Sequence, residues 1–375
     1  MSAPLNHDGL LKECELSDGL CPDVIEWCPV ETCANILLYG TYKHVPDLES
    51  RVGAVHLCRL ESAEAGASWD LRTVTTIDFA GVYDLAWGPQ DGSSILVAVA
   101  VADGSLNFLK LDLEAAQLAA TTESAIAKTG RLQVLDGIMT HITWGAGSAH
   151  GLGAVGQAGA VYHLQHQEGT GEAIKVAERS SHKLEAWSVE VSALDCNLLL
   201  SGADDGHVIG WDIRASPTDP PAVANRRAHE AGVTALACNP FQTQFLATGS
   251  YDEKVRIFDL RALGAHPLME SARLGDGAYH LAWHPHFSAE LAVAGMRSGV
   301  PLFSMSGETE LLEWGRYAAD AESASHGSLA YGICWQATAS SSQRLMAASA
   351  CFQSQTVHVW SCEAPSQKQI GALGS

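Results

Sequence analysis

Leu198-Leu-Leu-Ser-Gly-Ala-Asp-Asp-Gly-His-Val-Ile-Gly-Trp-Asp212 reads as two short strands joined by an Asp-Asp-Gly turn. The first is an apolar run ending in small residues; the second alternates with the two-residue period of a strand. The phrase returns as Phe245-Leu-Ala-Thr-Gly-Ser-Tyr-Asp-Glu-Lys-Val-Arg-Ile-Phe-Asp259. Looser copies pair Ile36–Gly40 with Val55–Cys58, Leu96–Ala102 with Leu106–Leu109, and Gly153–Gly156 with Val161–Leu164. Two more pair Leu291–Gly295 with Val300–Phe303, and Leu345–Ser349 with Val357–Trp360. Ahead of each pair stands a third phrase, an apolar pair followed by Trp or a substitute. It reads Ile25-Glu-Trp27-Cys-Pro, Leu85-Ala-Trp87-Gly-Pro, Ile142-Thr-Trp144-Gly, Leu236-Ala-Cys238-Asn-Pro, Leu281-Ala-Trp283-His-Pro and Ile333-Cys-Trp335, with a weaker copy at Val191. Seven triplets of short strands, centred at 27, 87, 144, 191, 238, 283 and 335, predict an all-β protein. A period of this size with four strands per repeat is that of a seven-bladed β-propeller occupying residues 1–375 as one domain.

The composition agrees and narrows the function. The 375 residues hold 22 Lys plus Arg against 43 Asp plus Glu, a formal charge of −21, with 47% hydrophobic residues. That apolar content is ample for a folded core, which excludes a disordered chain. The acidic balance speaks against direct nucleic-acid binding and against an anionic membrane surface, both of which need clustered positive charge. No run approaches a membrane span, and the first residues carry no signal-peptide pattern, so a cytoplasmic protein is expected. Ten cysteines without a Cys-x-x-Cys pair suggest reduced thiols in apolar strands rather than a disulfide scaffold or a zinc site.

Two repeats show how their turns are held. His182 and Asp205 precede Trp211, and His229 and Asp252 precede Phe258, at matching offsets. This resembles the WD-repeat tetrad, in which the turn Asp bonds the His, the His reaches a strand Ser or Thr (here Ser201 or Thr248), and the hydroxyl takes the indole N–H. Phe258 has no N–H, so the network is expected to be truncated in blade five. In each blade the Trp phrase is the innermost strand, the small-residue phrase the second and the alternating phrase the third. An outer strand follows, such as Thr73–Phe79 or Leu268–Leu274. Blade seven has no residues left for an outer strand, and Leu10–Leu16 is expected to supply it and close the ring, which removes exposed sheet edges. Glu114–Lys128 reads as an insertion in blade two.

Motifs for familiar chemistry are missing. There is no Gly-x-Ser-x-Gly elbow and no phosphate loop. His280, His284 and His286 share strand parity, but the Pro285 turn explains them without a metal. No cofactor is called for. The second-to-third-strand turns and the entries to the innermost strands emerge on one face. That face gathers Thr41 and Tyr42; Glu185 and Trp187; Asp204; Tyr251 and Glu253; Tyr279 and His280; His326, Ser328 and Tyr331. Aromatic rings with carboxylates around a central channel suit a quaternary ammonium group.

Several stretches resemble the diphthine methyltransferase family of WD-repeat proteins. They are Glu26-Trp-Cys-Pro29, Gly40-Thr-Tyr42, Glu185-Ala-Trp187, Ser201–Gly206, Gly210-Trp-Asp212, Ala247–Glu253, Trp283-His-Pro285 and Ser328-Leu-Ala-Tyr-Gly332, running in order along nearly the whole chain. The resemblance implies a methylesterase that hydrolyses diphthine methyl ester on translation elongation factor 2 to diphthine and methanol, before ATP-dependent amidation to diphthamide. Diphthine carries a trimethylammonium group, in keeping with the aromatic face. On this reading Glu185 is the expected general base, Tyr251 or Tyr331 the oxyanion donor, and Tyr42 and Trp187 the ammonium holders. Glu253 and His280 stand beside them, and His182, Ser201, Asp205, Trp211, His229 and Asp252 are structural. The last-blade turn, Cys351-Phe-Gln-Ser-Gln355, departs from the family pattern. The competing expectation is a scaffold that tethers elongation factor 2 to the amidation enzyme or other pathway enzymes without chemistry, as most such propellers do.

Overall fold

The structure is a computed structural model describing residues 10–16, 19–48, 50–62, 69–118, 125–168, 171–180, 182–307, 309–318, 329–337 and 344–363. The strands form seven four-stranded antiparallel sheets. The innermost strands are Cys21–Trp27, Val82–Asp91, Met139–Trp144, Ala186–Val191, Val233–Cys238, His280–Trp283 and Ala330–Trp335. Each touches the next, and the last touches the first, so the sheets are blades of a closed ring around a channel.

The recurring phrases have packing reasons. The Trp indoles staple neighbouring inner strands: Trp144 Nε1 donates to the Ala86 carbonyl, Trp283 Nε1 to Ala237 and Trp335 Nε1 to Ala282, each at 3.0 Å. Small residues end the second strands because the next blade presses there. A Cβ on Gly40 would lie 2.4 Å from Val82 Cγ1, and one on Gly202 would lie 2.6 Å from Val233 Cγ1. Blade-to-blade contacts of this kind leave no room for even one methylene.

The N-terminal strand closes the ring. Leu10–Glu15 lies antiparallel to Thr356–Glu363, with Leu10 opposite Trp360 and Glu15 opposite Thr356. Leu16 ends outside the strand, yet its N–H still reaches the Gln355 carbonyl at 2.8 Å. Two outer strands differ from expectation. The first runs longer, over Trp69–Phe79. The one expected over Leu268–Leu274 spans only Met269–Glu270, because the Ser271 hydroxyl takes the Val255 N–H and the chain then leaves the ladder. The stretch expected to be an insertion opens as the helix Leu113–Leu118, and from Ile126 it is the outer strand of blade two. Among the described residues no helix is long and apolar enough to cross a membrane.

Candidate functional site

The hydrogen-bond chains of blades four and five sit beside the channel mouth. His182 Nδ1 lies 3.1 Å from Asp205 and its Nε2 lies 2.8 Å from Ser201 Oγ, which also accepts the Trp211 indole N–H at 3.3 Å. His229 Nδ1 lies 3.0 Å from Asp252 and its Nε2 lies 2.7 Å from Thr248 Oγ1. Both imidazoles are therefore fully engaged. Blade five is not simply truncated at Phe258, which is buried. Arg256, two residues earlier, turns in and donates to Asp252 at 2.6 Å. Burial would raise the Asp252 carboxyl, but the bonds from His229 and Arg256 outweigh it and hold the group well below the usual range.

The mouth is built by one register position. The residues four before the phrase centres are Asp23, Tyr83, Thr140, Trp187, Thr234, Tyr279 and Tyr331. The hydroxyls of Thr140 and Thr234 are tied to the carbonyls of Ala186 and Ala278 on the next blade. The remaining five positions carry four aromatic rings and one carboxyl. On the side of blades six, seven, one and two the rings stack into a wall. Tyr279 lies on Tyr331 at 4.2 Å, Tyr331 meets Phe352 at 5.1 Å, Phe352 meets Tyr42 at 5.0 Å, and Tyr42 lies on Tyr83 at 4.5 Å. Trp187 stands across the ring on blade four, its indole N–H donating to Asp204 at 2.7 Å.

Asp23 heads the inner strand of blade one within this wall. Only 4% of it is exposed, and its Oδ1 has no hydrogen-bond partner among the described residues. Its charge acts on the hydroxyls of Tyr42, Tyr83, Tyr251, Tyr279 and Tyr331. Burial, reinforced by Asp84, pushes the Asp23 carboxyl well up. Burial also pushes the Tyr83, Tyr251 and Tyr331 hydroxyls up to about 12, so they remain donors at neutral pH.

One residue further in, the same strands turn from binding to titratable chemistry: Asp84 follows Tyr83, His141 follows Thr140 and His280 follows Tyr279. These three, with Glu26 and Glu190, line a channel cavity of about 590 Å³. Asp84 Oδ2 accepts the Ile142 N–H at 2.8 Å and lies 3.7 Å from His141 Nδ1. Burial raises Asp84 to about 7 and Glu26 and Glu190 to about 8, and it lowers His141 and His280 to about 4. At neutral pH the imidazoles are thus uncharged and the carboxyls close to their titration points.

The residues singled out from the sequence divide accordingly. Tyr42, Tyr251, Tyr331 and Trp187 border the mouth. His280 lies just inside, whereas His286 lies beyond the end of its strand, bonded to the Ala337 carbonyl. Glu185 is half-buried on the rim, its charge acting on Tyr251 and Asp204. Glu253 is drawn toward Arg273 at 3.7 Å. His326 and Ser328 lie outside the described residues. Asp23, Tyr83 and Asp84 were missed, as was the part Phe352 plays in the wall. The signal for the first three was present in the fixed offsets from the Trp phrase.

Comparison with known proteins places the chain. The family described as "WD domain, G-beta repeat" matches residues 222–259, the outer strand of blade four and the first three strands of blade five. A chain of the structure titled "Crystal Structure of Mitotic Checkpoint Complex" aligns over 97% of this chain and 96% of its own, with a TM-score of 0.68 and 17% identity, a likeness of fold alone. Diphthine methyltransferase of Mus musculus is 31% identical over 80% of this chain, and that of Homo sapiens 27% over 76%. The chain spans less than two thirds of the length of those relatives, 64% and 66%. The Dictyostelium discoideum homologue is 23% identical, with 90% of this chain and 95% of the relative covered. The chain is a WD-repeat β-propeller that resembles diphthine methyltransferases over most of its length.

Proposed function

We propose that the chain is a cytoplasmic protein methylesterase that hydrolyses diphthine methyl ester on translation elongation factor 2. The observation that carries this is the order of groups down the channel: an aromatic wall with a carboxyl at the mouth, then titratable groups one residue deeper on the same strands. An elongated modified His side chain entering from the mouth brings its trimethylammonium group against the rings and its ester toward Asp84 and His280. Water then loses a proton to a carboxylate as its oxygen attacks the ester carbon. Tyr331 or Tyr251 donates to the oxyanion, and methoxide leaves with the proton as methanol. Oxyanion donors fixed in place before the reaction are usually a large part of such catalysis.

Asp84 suits the base better than Glu185, the base expected from the sequence. A general base works best with a pKa near the working pH, and Asp84 is held near 7 inside the cavity. Glu185 lies at the rim, where water competes.

Incubating the purified protein with methyl-esterified elongation factor 2 tests the function. Release of methanol, with a mass loss of one methylene on the factor, is expected. Binding without mass change means a scaffold and rejects the esterase. Asp84→Asn keeps an acceptor for the Ile142 N–H, so it should fold and lose turnover by about 10²–10⁴. Wild-type turnover should rise with pH through about 7, because the base must lose its proton. A folded Asp84→Asn protein with the wild-type rate returns the role to Glu185, and Glu185→Gln is then the variant to measure.

A further inference from the structure

We infer that Asp23 is the built-in counter-ion of the mouth, holding a quaternary ammonium group against the tyrosine wall and favouring a ligand whose neighbouring carboxyl is esterified. The inference rests on the proposal that this mouth receives a trimethylammonium group, and it names the residue that selects it.

Three observations point to Asp23. It is buried, with Oδ1 unpartnered, although a buried carboxyl oxygen is costly to leave unbonded. Its charge acts on each of the five tyrosines of the mouth. And it occupies the register position that four other blades fill with an aromatic ring. A quaternary ammonium donates no hydrogen bond, so it needs what this site offers: ring faces for its methyl groups and one negative charge not already committed.

The groups facing Asp23 set its behaviour. They are Asp84 and Tyr83 from blade two, Tyr42 from its own sheet, Tyr251 from blade five, and Tyr331 and Tyr279 from blades seven and six. Two cations act on the wall, Arg51 on Tyr83 and Arg297 on Tyr331. Arg51 lies 6.0 Å from the Tyr83 ring, and Arg297 pairs with Asp276. Among the described residues no ion pair holds Asp23 and burial pushes its carboxyl up, so an arriving onium group favours loss of its proton. In an amino-acid betaine ester the ammonium and the carbonyl share one carbon. Hydrolysis therefore creates a second carboxylate beside Asp23, and like charges at that distance repel. The site prefers ester to acid and expels its product.

Choline, its neutral carbon isostere 3,3-dimethylbutan-1-ol and glycine betaine are the probes, titrated into the whole protein by calorimetry. Choline should bind at least about tenfold more tightly than the isostere, and glycine betaine more weakly than choline. Choline binding should release a proton and strengthen with rising pH, by up to about tenfold per unit while Asp23 is mostly protonated. In Asp23→Asn the preference for choline over the isostere and the proton release should both disappear; in Asp276→Asn, outside the wall, both should remain. Equal binding of choline and isostere to the wild type, pH-independent binding, or an Asp23→Asn protein that keeps the preference overturns the inference. The pH arm needs no variant, so it decides even if Asp23→Asn fails to fold. Turnover of the esterified factor without a choline preference rejects the counter-ion and leaves the esterase. A choline preference without turnover does the reverse.

Discussion

Blades four and five meet the channel mouth with hydrogen-bonded chains; blades six, seven, one and two meet it with stacked rings. In the first pair each His, Asp and hydroxyl is bonded to another, and nothing is left over for a ligand. In the second group the rings cover one another, while one carboxyl oxygen among them stays unbonded. The same ring of strands thus spends its polar groups on structure on one side and keeps one back on the other. Completeness of bonding separates a structural network from a site better than residue type does, because both sides use buried carboxylates.

The two structural chains differ in what would be stranded by a break. Asp205→Ala leaves the neutral His182 Nδ1 without its carboxylate partner, at about 1–3 kcal/mol. Asp252→Ala leaves the Arg256 guanidinium, 8% exposed, without its 2.6 Å partner. Removing one member of a buried ion pair costs about 3–5 kcal/mol. Denaturant unfolding should therefore find Asp252→Ala the more damaged. The pH dependence has a definite sign. The folded-state pKa of Asp252 is depressed, so its contribution is present above the ordinary value of 3.8 and lost as pH falls further. The gap between wild type and Asp252→Ala should narrow below about pH 4. Equal losses in the two blades would mean that Arg256 finds enough compensation in Glu270, 3.4 Å from its Nε.

The lone ring of blade four, opposite the wall, breaks differently. Trp187→Ala removes one face from the mouth and leaves Asp204 without its indole donor, but Asp204 is near enough to water to be resolvated. Loss of a desolvated cation–π contact is worth up to about 2 kcal/mol. Substrate or choline affinity should fall by about tenfold to thirtyfold, with turnover at saturation nearly unchanged. A stability loss that accounts for all the lost activity would instead make Trp187 a structural residue like Trp211.

What could be read from the sequence follows the same division. The blades, their strand order, the closing strand Leu10–Glu15 and the His182 and His229 networks repeat, and repetition is visible without coordinates. Arg256 was not legible, because it joins the network at Asp252, a point with no counterpart in blade four. Asp23 and Asp84 were not legible as a site for another reason. Blade one puts an Asp where its neighbours put rings, and only closing the ring brings Asp23 beside Tyr331, which is more than 300 residues away in sequence. The Phe352 turn looked merely divergent, yet its ring links Tyr42 to Tyr331.

The smallest expected effect lies at the border of the two sides. Gly206 in blade four and Glu253 in blade five follow the network Asp at the same point of the turn, and both have left-handed backbones, with φ of 73° and 68°. Glycine adopts that conformation freely, whereas for an L side chain it costs about 1–2 kcal/mol. Glu253→Gly relieves this cost but loosens the unfolded chain by about 0.4–1 kcal/mol. A net gain of up to about 1 kcal/mol in denaturant unfolding is expected. The Glu253 carboxylate gives back little through Arg273, since both side chains are largely solvated and 3.7 Å apart. Strain held against such an easy remedy is often functional. Affinity for esterified elongation factor 2 therefore decides what the strain is for. If Glu253→Gly gains stability and binds the factor as the wild type does, blade five simply tolerates a poor turn residue. If it gains stability and binds more weakly, the left-handed turn presents Glu253 to the substrate protein, and the working surface extends from the tyrosine wall across to the hydrogen-bonded side.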